Sequence, residues 1–115
     1  MQKAHSELTA KLEQELRRGV LVLAVLSQLR RSHYGYSLRQ LLDQQGIAIE
    51  EGTLYPLLRR MEEQGLLQSE WKIEEGPPRR YYKRSAQGDR VYREICASWL
   101  GLVGTIKTLM EAGAS

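Results

Sequence analysis

The spacing of apolar side chains predicts a helix followed by a β-hairpin between residues 50 and 84. The stripe that defines the helix recurs every three or four residues and consists of Leu54, Leu57, Leu58 and Met61. Such a stripe gives a helix one apolar face, and Gly65 is expected to end the helix. Beyond it, alternation in LLQSEWKI and RRYYKR predicts two strands, joined by the turn residues EEGPP. A helix followed by such a hairpin is typical of a winged helix.

A separate helix is predicted near the start of the chain. Ser6 is suited to cap it, and its apolar positions recur at a spacing of four, at Leu8, Leu12 and Leu16. Because this stripe is narrow, we expect the helix to pack on the C-terminal helix or on a second subunit. Gly19 is expected to break it before the next helix begins.

The most hydrophobic stretch predicts a buried central helix from Val20 to Arg31. Its apolar run falls well short of the ~20 residues that a membrane span requires. The loop SHYG then leads to a helix expected from Tyr36 to Gln45, which Gly46 ends. A further helix that begins near Glu51 completes a helix-turn-helix.

Pro56 limits how this last helix is expected to begin. Proline lacks a backbone N–H and is comfortable only in the first turn of a helix. We therefore expect regular helix only from about Thr53, whose side chain is suited to cap it.

The C-terminal helix is predicted from Ser85 to about Glu111, with Ser85 as its cap. Its apolar side chains alternate between spacings of three and four, which is a heptad seam: Tyr92, Ile95, Trp99, Leu102, Ile106 and Leu109. This seam offers more apolar surface than a small winged domain can cover, so we expect it to form a dimer interface together with Leu8, Leu12 and Leu16.

These elements give a fold that is mainly α with a small β-hairpin, a winged helix-turn-helix with additional N- and C-terminal helices. We divide the 115 residues into an N-terminal helix (1–18), the winged unit (19–84) and a C-terminal dimerisation helix (85–115). A chain of this length is expected to form one structural domain, whose core leaves no room for a deep active site.

Candidate catalytic and metal-binding groups are sparse. The single cysteine, Cys96, excludes an internal disulfide and a cysteine-based zinc site, and it fits the reducing cytoplasm. His5 and His33 have no serine, cysteine or carboxylate at a suggestive spacing, and no phosphate-binding glycine loop is present. The sequence therefore predicts neither an enzyme nor a bound metal or cofactor.

Charge bears on function through its placement, since 17 Lys and Arg against 14 Asp and Glu give a net charge of only +3. On the predicted helix of residues 51–64, Arg59 and Arg60 are suited to grip guanine in a DNA major groove, and Thr53 to bond a base edge or phosphate. Pro56 is placed to touch a thymine methyl group. Tyr55 is equally suited to packing and to a phosphate contact. The alternative is a solvated amphipathic helix.

The predicted hairpin carries a second cationic group beside its turn, residues 74–80. Arg79, Arg80 and the following Lys83 are suited to enter a minor groove or to follow its phosphates. The alternative is a charged turn that discourages pairing between strand edges. Trp71 and Ile73 share one strand face and are expected to cover the core. Tyr81 and the neighbouring Tyr82 face opposite sides, so at least one is expected to be structural.

Three segments closely resemble the PadR family of transcriptional regulators: HYGYSL (33–38), GTLYPLLRRMEEQGL (52–66) and GPPRRYY (76–82). The resemblance runs in one register from about Leu21 to Gly88. It implies a homodimeric DNA-binding winged helix-turn-helix, usually a repressor released by a small molecule. The family commonly places Ser-Pro before Gly-Thr-Leu-Tyr-Pro, where this chain has Glu50 and Glu51. These two carboxylates suit the helix dipole but repel phosphates.

The resemblance also implies an effector site. Compact PadR-like regulators with a single C-terminal helix can bind flat aromatic compounds between subunits, and Trp99 resembles by position the tryptophan that stacks on them. We therefore expect a planar aromatic effector at Trp99 and Ile95, with a plain hydrophobic interface anchor as the alternative.

The function predicted is a homodimeric, ligand-responsive repressor that binds a palindromic operator in double-stranded DNA through helix 51–64 and the turn at 74–80. The alternative is a winged helix that docks on an acidic protein partner without reading DNA sequence.

Overall fold

The computed structural model describes residues 2–114 and contains four helices and three strands in that range. The elements are α1 (Gln2–Gln28), β1 (His33–Tyr34), α2 (Gly35–Gln44), α3 (Glu51–Glu63), β2 (Leu67–Lys72), β3 (Arg79–Arg84) and α4 (Ala86–Gly113). Helix predominates and the sheet is small, which confirms the predicted fold class.

The first helix differs from the sequence prediction, because α1 is one unbroken helix of 27 residues. It begins before Ser6, so that residue does not cap it, and it passes through Gly19 without a break. A glycine inside a helix costs about 1 kcal/mol relative to alanine. The good helix formers around Gly19, among them Leu16, Arg17 and Leu21, outweigh that cost.

The sheet has a third strand that the sequence prediction missed. Its strand order is β1-β3-β2, and all neighbours are antiparallel. Residues 33 and 34, expected to lie in a loop, pair with Tyr82 and Tyr81 of β3. The hairpin of β2 and β3 is confirmed, and its register runs from Leu67 opposite Arg84 to Lys72 opposite Arg79.

The core lies between α1, α2, α3 and the near end of the sheet. It contains the predicted stripe of α3 and apolar side chains of the other elements: Val25, Leu26, Leu29, Leu38, Leu42, Ile49, Leu54, Leu57, Leu58, Met61, Leu67 and Tyr82. Tyr82 is the structural member of the tyrosine pair, since only 6% of it is exposed.

The expectation that Trp71 and Ile73 cover the core is wrong, because they are 65% and 78% exposed. By the alternation of side chains, Trp71 follows Leu67 on the same face of β2, and Ile73 lies just beyond the end of the strand. Leu67 is buried under the helices, and Ser69 lies against Glu62 near the end of α3. Further along β2 the helical layer no longer covers this face.

α4 is anchored at its N-terminus and then leaves the core. Ser85 caps it as predicted, accepting a hydrogen bond from the Gly88 amide at 2.9 Å and donating one to the Gly65 carbonyl at 2.6 Å. Arg84 donates to Asp89 Oδ1 at 2.8 Å and to the Leu26 carbonyl at 3.0 Å, which ties β3 to both long helices. Residues 97–113 of α4 are all exposed.

Candidate nucleic-acid interface

α3 has one buried apolar face and one exposed face, as the spacing of its apolar residues predicts. The apolar stripe is buried, and the opposite face is exposed along its length, including Gly52, Thr53, Tyr55, Pro56, Arg59 and Arg60. Gly52 contributes no side chain to this face and has open space around its α-carbon. The N-terminal half of α3 can therefore approach another molecule closely, and its two arginines lie about one turn beyond Pro56.

The start of α3 differs from the prediction. The helix begins at Glu51, and Glu50 is the N-cap residue without a side-chain capping bond. Thr53 does not cap the helix, because its own amide already donates to the Glu50 carbonyl at 3.0 Å. Pro56 lies inside the helix, where its missing N–H leaves the Gly52 carbonyl without its usual helical donor. Because Gly52 is exposed, water can serve that carbonyl.

Arg39 of α2 fixes the turn between the two helices of the helix-turn-helix. Its Nε donates to the Ile49 carbonyl at 2.9 Å, and its NH1 group lies 3.2 Å from Glu51 Oε1. Both side chains of this ion pair are well exposed, so the pair contributes at most about 1 kcal/mol to stability. It does place a cation beside one of the two carboxylates that precede the exposed face of α3.

We call β2, β3 and the turn between them the wing. Arg79 and Lys83 are exposed on the wing, and the guanidinium of Arg79 lies 4.6 Å from the ring centroid of Tyr34. Neither residue forms an ion pair within residues 2–114. The same holds for Arg59 and Arg60 on α3, so four cationic side chains of these two elements are available to an external anion. Glu74 and Glu75 are also exposed at the turn.

Arg80 is placed differently from its neighbour Arg79. Its NH2 group lies 2.8 Å from Glu62 Oε1, its Nε donates to Ser69 Oγ at 3.0 Å, and Ser69 Oγ donates to Glu62 Oε2 at 2.6 Å. These three side chains form a closed ring of hydrogen bonds that joins α3 to both strands of the wing. The charge of Arg80 is thus directed at the protein.

A cleft of about 370 Å³ separates α3 from the wing. Tyr55 and Arg59 line one side of the cleft, and Trp71, Arg80 and Tyr82 line the other. Arg79 also lines the cleft, close to β1. Burial raises the pKa of Tyr82 above its ordinary value, so its hydroxyl stays neutral here. No carboxylate is among the described residues that line the cleft, which makes it both aromatic and cationic.

Tyr55 owes its orientation to Gly35. A β-carbon at position 35 would overlap Cε1 of the Tyr55 ring, so the ring packs directly on the backbone at the start of α2. Even so, 38% of Tyr55 is exposed, towards the cleft. Tyr55 therefore has a packing role, and its exposed part remains accessible from the cleft.

A second, larger groove lies between α1 and the helix-turn-helix. It has a volume of about 830 Å³ and includes Arg17 and Arg18 of α1, with Tyr36 and Gln40 of α2 and Thr53 of α3. The two arginines were not singled out from the sequence. Gln14 and Leu21 also line the groove. Each is three or four positions from both arginines, so the four residues lie on one face of a helix, and this spacing is the pattern in the sequence that could have identified the arginines.

The residues predicted for a dimer interface fall into two groups. Tyr92 and Ile95 are partly buried against the core of their own chain. The other predicted residues are largely exposed: Leu8, Leu12, Leu16, Trp99, Leu102, Ile106 and Leu109. In α1, the leucine stripe lies roughly opposite the face of Gln14 and Arg18 that lines the groove. The predicted effector residue Trp99 is 41% exposed and lies at the point where α4 leaves the core.

Two further groups have altered titration. Burial lowers the pKa of His33, and the nearby charge of Arg31 lowers it further. The hydrogen bond that joins Tyr92 to Cys96 raises the pKa of Tyr92, and burial acts in the same direction. The side chain of the other histidine considered above, His5, lies outside the described side chains.

Within residues 2–114, no helix is long and apolar enough to cross a membrane. In the same part of the chain, no three metal-ligating side chains come together.

Comparison with known proteins agrees with this geometry. A solved PadR family transcriptional regulator from Eggerthella lenta is 48% identical, with a TM-score of 0.91 over 95% of this chain and 97% of that one. A PadR-like regulator from Bacillus cereus is 31% identical, with a TM-score of 0.75 over 84% of this chain and 96% of that one.

A shorter match joins the chain to the transcriptional regulator Rv3488 of Mycobacterium tuberculosis, 42% identical over 55 residues. It covers 48% of this chain and spans about half the length of that relative, 51%. The family model described as the transcriptional regulator PadR-like family matches residues 22–94, which include the helix-turn-helix, the wing and the start of α4. The chain therefore belongs to the PadR-like family of DNA-binding transcriptional regulators.

Proposed function

We propose that this regulator is a cytoplasmic, homodimeric repressor that binds a two-fold symmetric operator through α3 and the wing. The observation that carries the proposal is the set of four exposed cations on these elements, Arg59, Arg60, Arg79 and Lys83. None has a carboxylate at ion-pairing distance within residues 2–114, so the described chain does not neutralise them. A polyanion with a groove wide enough for a helix satisfies both their charge and their arrangement.

The contacts divide by chemistry. Arg79 and Lys83 bind phosphates and supply affinity, as do Arg17 and Arg18 in the groove between α1 and the helix-turn-helix. Discrimination between sequences comes from Thr53, Pro56, Arg59 and Arg60, which lie on the face of α3 that enters the major groove. Glu50 and Glu51 limit the affinity, although the ion pair of Glu51 with Arg39 offsets part of the repulsion.

The exposed apolar stripes support the dimer. Trp99, Leu102, Ile106 and Leu109 lie along the part of α4 that projects from the core, and each is at least 41% exposed. A contiguous exposed apolar seam of this kind marks a protein–protein interface. Most soluble oligomers are built from copies of one chain, and two-fold symmetric dimers are the commonest of them. Two-fold symmetry then places the operator half-sites about one helical turn apart, or a multiple of it.

Release of repression is assigned to a planar aromatic compound that stacks on Trp99 beside Ile95. The dimer is expected to have two conformations that differ in the distance between the two wings. The compound shifts the equilibrium between these conformations only as far as its affinity for one exceeds its affinity for the other. Fluorescence of Trp99 that stays unchanged across a panel of planar aromatic compounds would contradict this assignment.

The test of the main proposal is selection of the purified protein on random duplex DNA at moderate salt, followed by sequencing. We expect an enriched palindrome, and an affinity that falls at least about a thousandfold between 50 and 200 mM salt if six or more phosphates are neutralised. A folded dimer that enriches no sequence would contradict the proposal and favour a winged helix that docks on an acidic protein.

A further inference from the structure

The cleft between α3 and the wing contains an aromatic side chain that neither packing nor the proposed phosphate contacts explain. Trp71 is 65% exposed although it projects from the face of the sheet that buries Leu67. A large apolar side chain in so open a position is unfavourable in water, and it invites an occupant that covers it.

The walls of the cleft are held at a fixed separation. The ring of hydrogen bonds among Glu62, Ser69 and Arg80 joins α3 to both wing strands, so α3 and the wing cannot move apart freely. The guanidinium of Arg80 also lies 5.9 Å from the Trp71 ring centroid and supports the indole from within the protein. The cleft is therefore a preformed site in which 65% of Trp71 stays exposed.

The chemistry of the cleft favours an occupant with an apolar ring and a negative charge. Arg59 and Arg79 lie at the cleft without carboxylate partners within residues 2–114, and Tyr55 and Trp71 supply exposed aromatic surface. When α3 lies in a major groove and the wing lies at the adjacent minor groove, the strand between the two grooves must cross the cleft. That strand presents deoxyribose rings and phosphates.

We infer, on the basis of the proposed function, that the cleft holds one deoxyribose-phosphate segment of the operator. The indole of Trp71 lies against the deoxyribose, and Arg79 reaches a neighbouring phosphate. Trp71 is thus a DNA-contacting residue that adds affinity by apolar contact, independently of counterion release. The volume of the cleft, about 370 Å³, is sufficient for such a segment.

The test compares Trp71→Ala with Ile73→Ala on the selected operator across a salt series. Ile73 lies two positions further on, just beyond the end of β2, and is 78% exposed, but it does not line the cleft. We expect Trp71→Ala to lose about tenfold in affinity with an unchanged slope of log K against log salt, because no phosphate contact is removed. Ile73→Ala should change the affinity by less than about twofold, and circular dichroism should show both variants folded.

The two tryptophans of the chain, Trp71 and Trp99, allow an independent readout. In Trp99→Phe, whose own operator affinity is measured in the same titration, Trp71 is the only tryptophan. Its emission should change as the operator saturates the protein.

The outcomes separate this inference from the proposed function. The inference would be overturned if the operator affinity of Trp71→Ala equalled that of the wild type, or if Trp71 emission stayed unchanged at saturation. Either result would favour a small aromatic anion as the occupant of the cleft and would not contradict the proposed repressor function. A slope reduced by about one in Trp71→Ala would overturn the inference too, by indicating displaced phosphate contacts. Wild-type protein that binds no duplex in the selection would overturn both.

Discussion

Glu62 and Arg80 lie 18 residues apart in the chain, yet their side chains meet at 2.8 Å and connect α3 to the wing. Ser69 bonds to both of them. DNA recognition by a winged helix requires α3 and the wing to engage two grooves at once. The relative placement of these two elements therefore depends on a contact made entirely within the protein.

This contact predicts a positioning role for Arg80. Arg80→Ala should weaken operator binding while leaving the salt slope unchanged, because the guanidinium is engaged by Glu62. The matched control is Arg79→Ala at the neighbouring exposed position, which should reduce the slope by about one. A slope reduced equally in both variants would show that Arg80 contacts phosphate directly.

The same pair predicts a measurable coupling in stability. In a double-mutant cycle of Glu62→Ala and Arg80→Ala, urea unfolding should give an interaction free energy of about 1 kcal/mol, since the pair is partly exposed. Additive effects of the two substitutions would contradict the contact.

Gly35→Ala should destabilise the fold, because the new methyl group overlaps the ring of Tyr55. Overpacking of this kind costs about 1–3 kcal/mol, measured as the loss in free energy of unfolding in urea. The control is Gly19→Ala, where the helix has open space, and which should stabilise the protein by up to about 1 kcal/mol. Equal effects at the two positions would exclude steric overlap as the cause.

Arg59→Ala should change which sequence the protein prefers. A bidentate contact of arginine with guanine contributes about 1–3 kcal/mol of discrimination against other bases. Sequencing of pools selected by the variant and by the wild type measures the change at the affected position. Arg79→Ala should lower affinity but retain the wild-type sequence, and identical pools from Arg59→Ala and the wild type would remove Arg59 from base recognition.

His33 predicts a pH dependence of stability. Its pKa in the folded protein is lowered from the ordinary 6.5, so below that pH the unfolded chain binds a proton that the folded protein resists. The contribution of His33 to the free energy of unfolding is fully present above about pH 6.5. It is lost as the pH falls from there towards the pKa of His33 in the folded protein. The urea midpoint of His33→Gln should therefore fall less between pH 7.5 and 5.5 than that of the wild type. Equal falls would contradict the effect.

The apolar seam of α4 predicts the oligomeric state. Ile106→Asp introduces a charge into the seam and should shift the protein to monomers in analytical ultracentrifugation, with a loss of operator affinity. Thr108→Asp introduces the same charge away from the seam, on an equally exposed part of α4, and should leave the protein dimeric. A dimer in both variants would exclude the seam as the interface.

Much of the fold could be predicted because its longer elements carry strong periodic signals. The stripe of α3 and the seam of α4 each run over several turns, and both helices lie where the spacing places them. β1 has only two residues, too few for any alternation to be detected, and its pairing with β3 depends on contacts distant in sequence. The continuity of α1 was missed because a single glycine weakens a helix without ending it.

The candidate site was predictable in its residue types and less so in their surroundings. Alternation correctly assigns Trp71 to the face of Leu67, but it does not reveal how far along the strand the covering helices extend. Similarly, the sequence shows that Arg79 and Arg80 are adjacent cations near a turn. Only the fold brings Glu62 to one of them and leaves the other exposed.

The unbroken course of α1 constrains how a signal from the proposed effector can travel. This helix carries Leu8, Leu12 and Leu16 along one half, and Val25 and Leu26 of the core in the other. With no hinge at Gly19, the helix acts as a stiff lever arm fixed to the winged unit. In the proposed dimer, a small rotation at the interface would be transmitted as a tilt of the whole winged unit. The proposed effector would then alter the distance between the two copies of α3 without repacking the interior of either subunit.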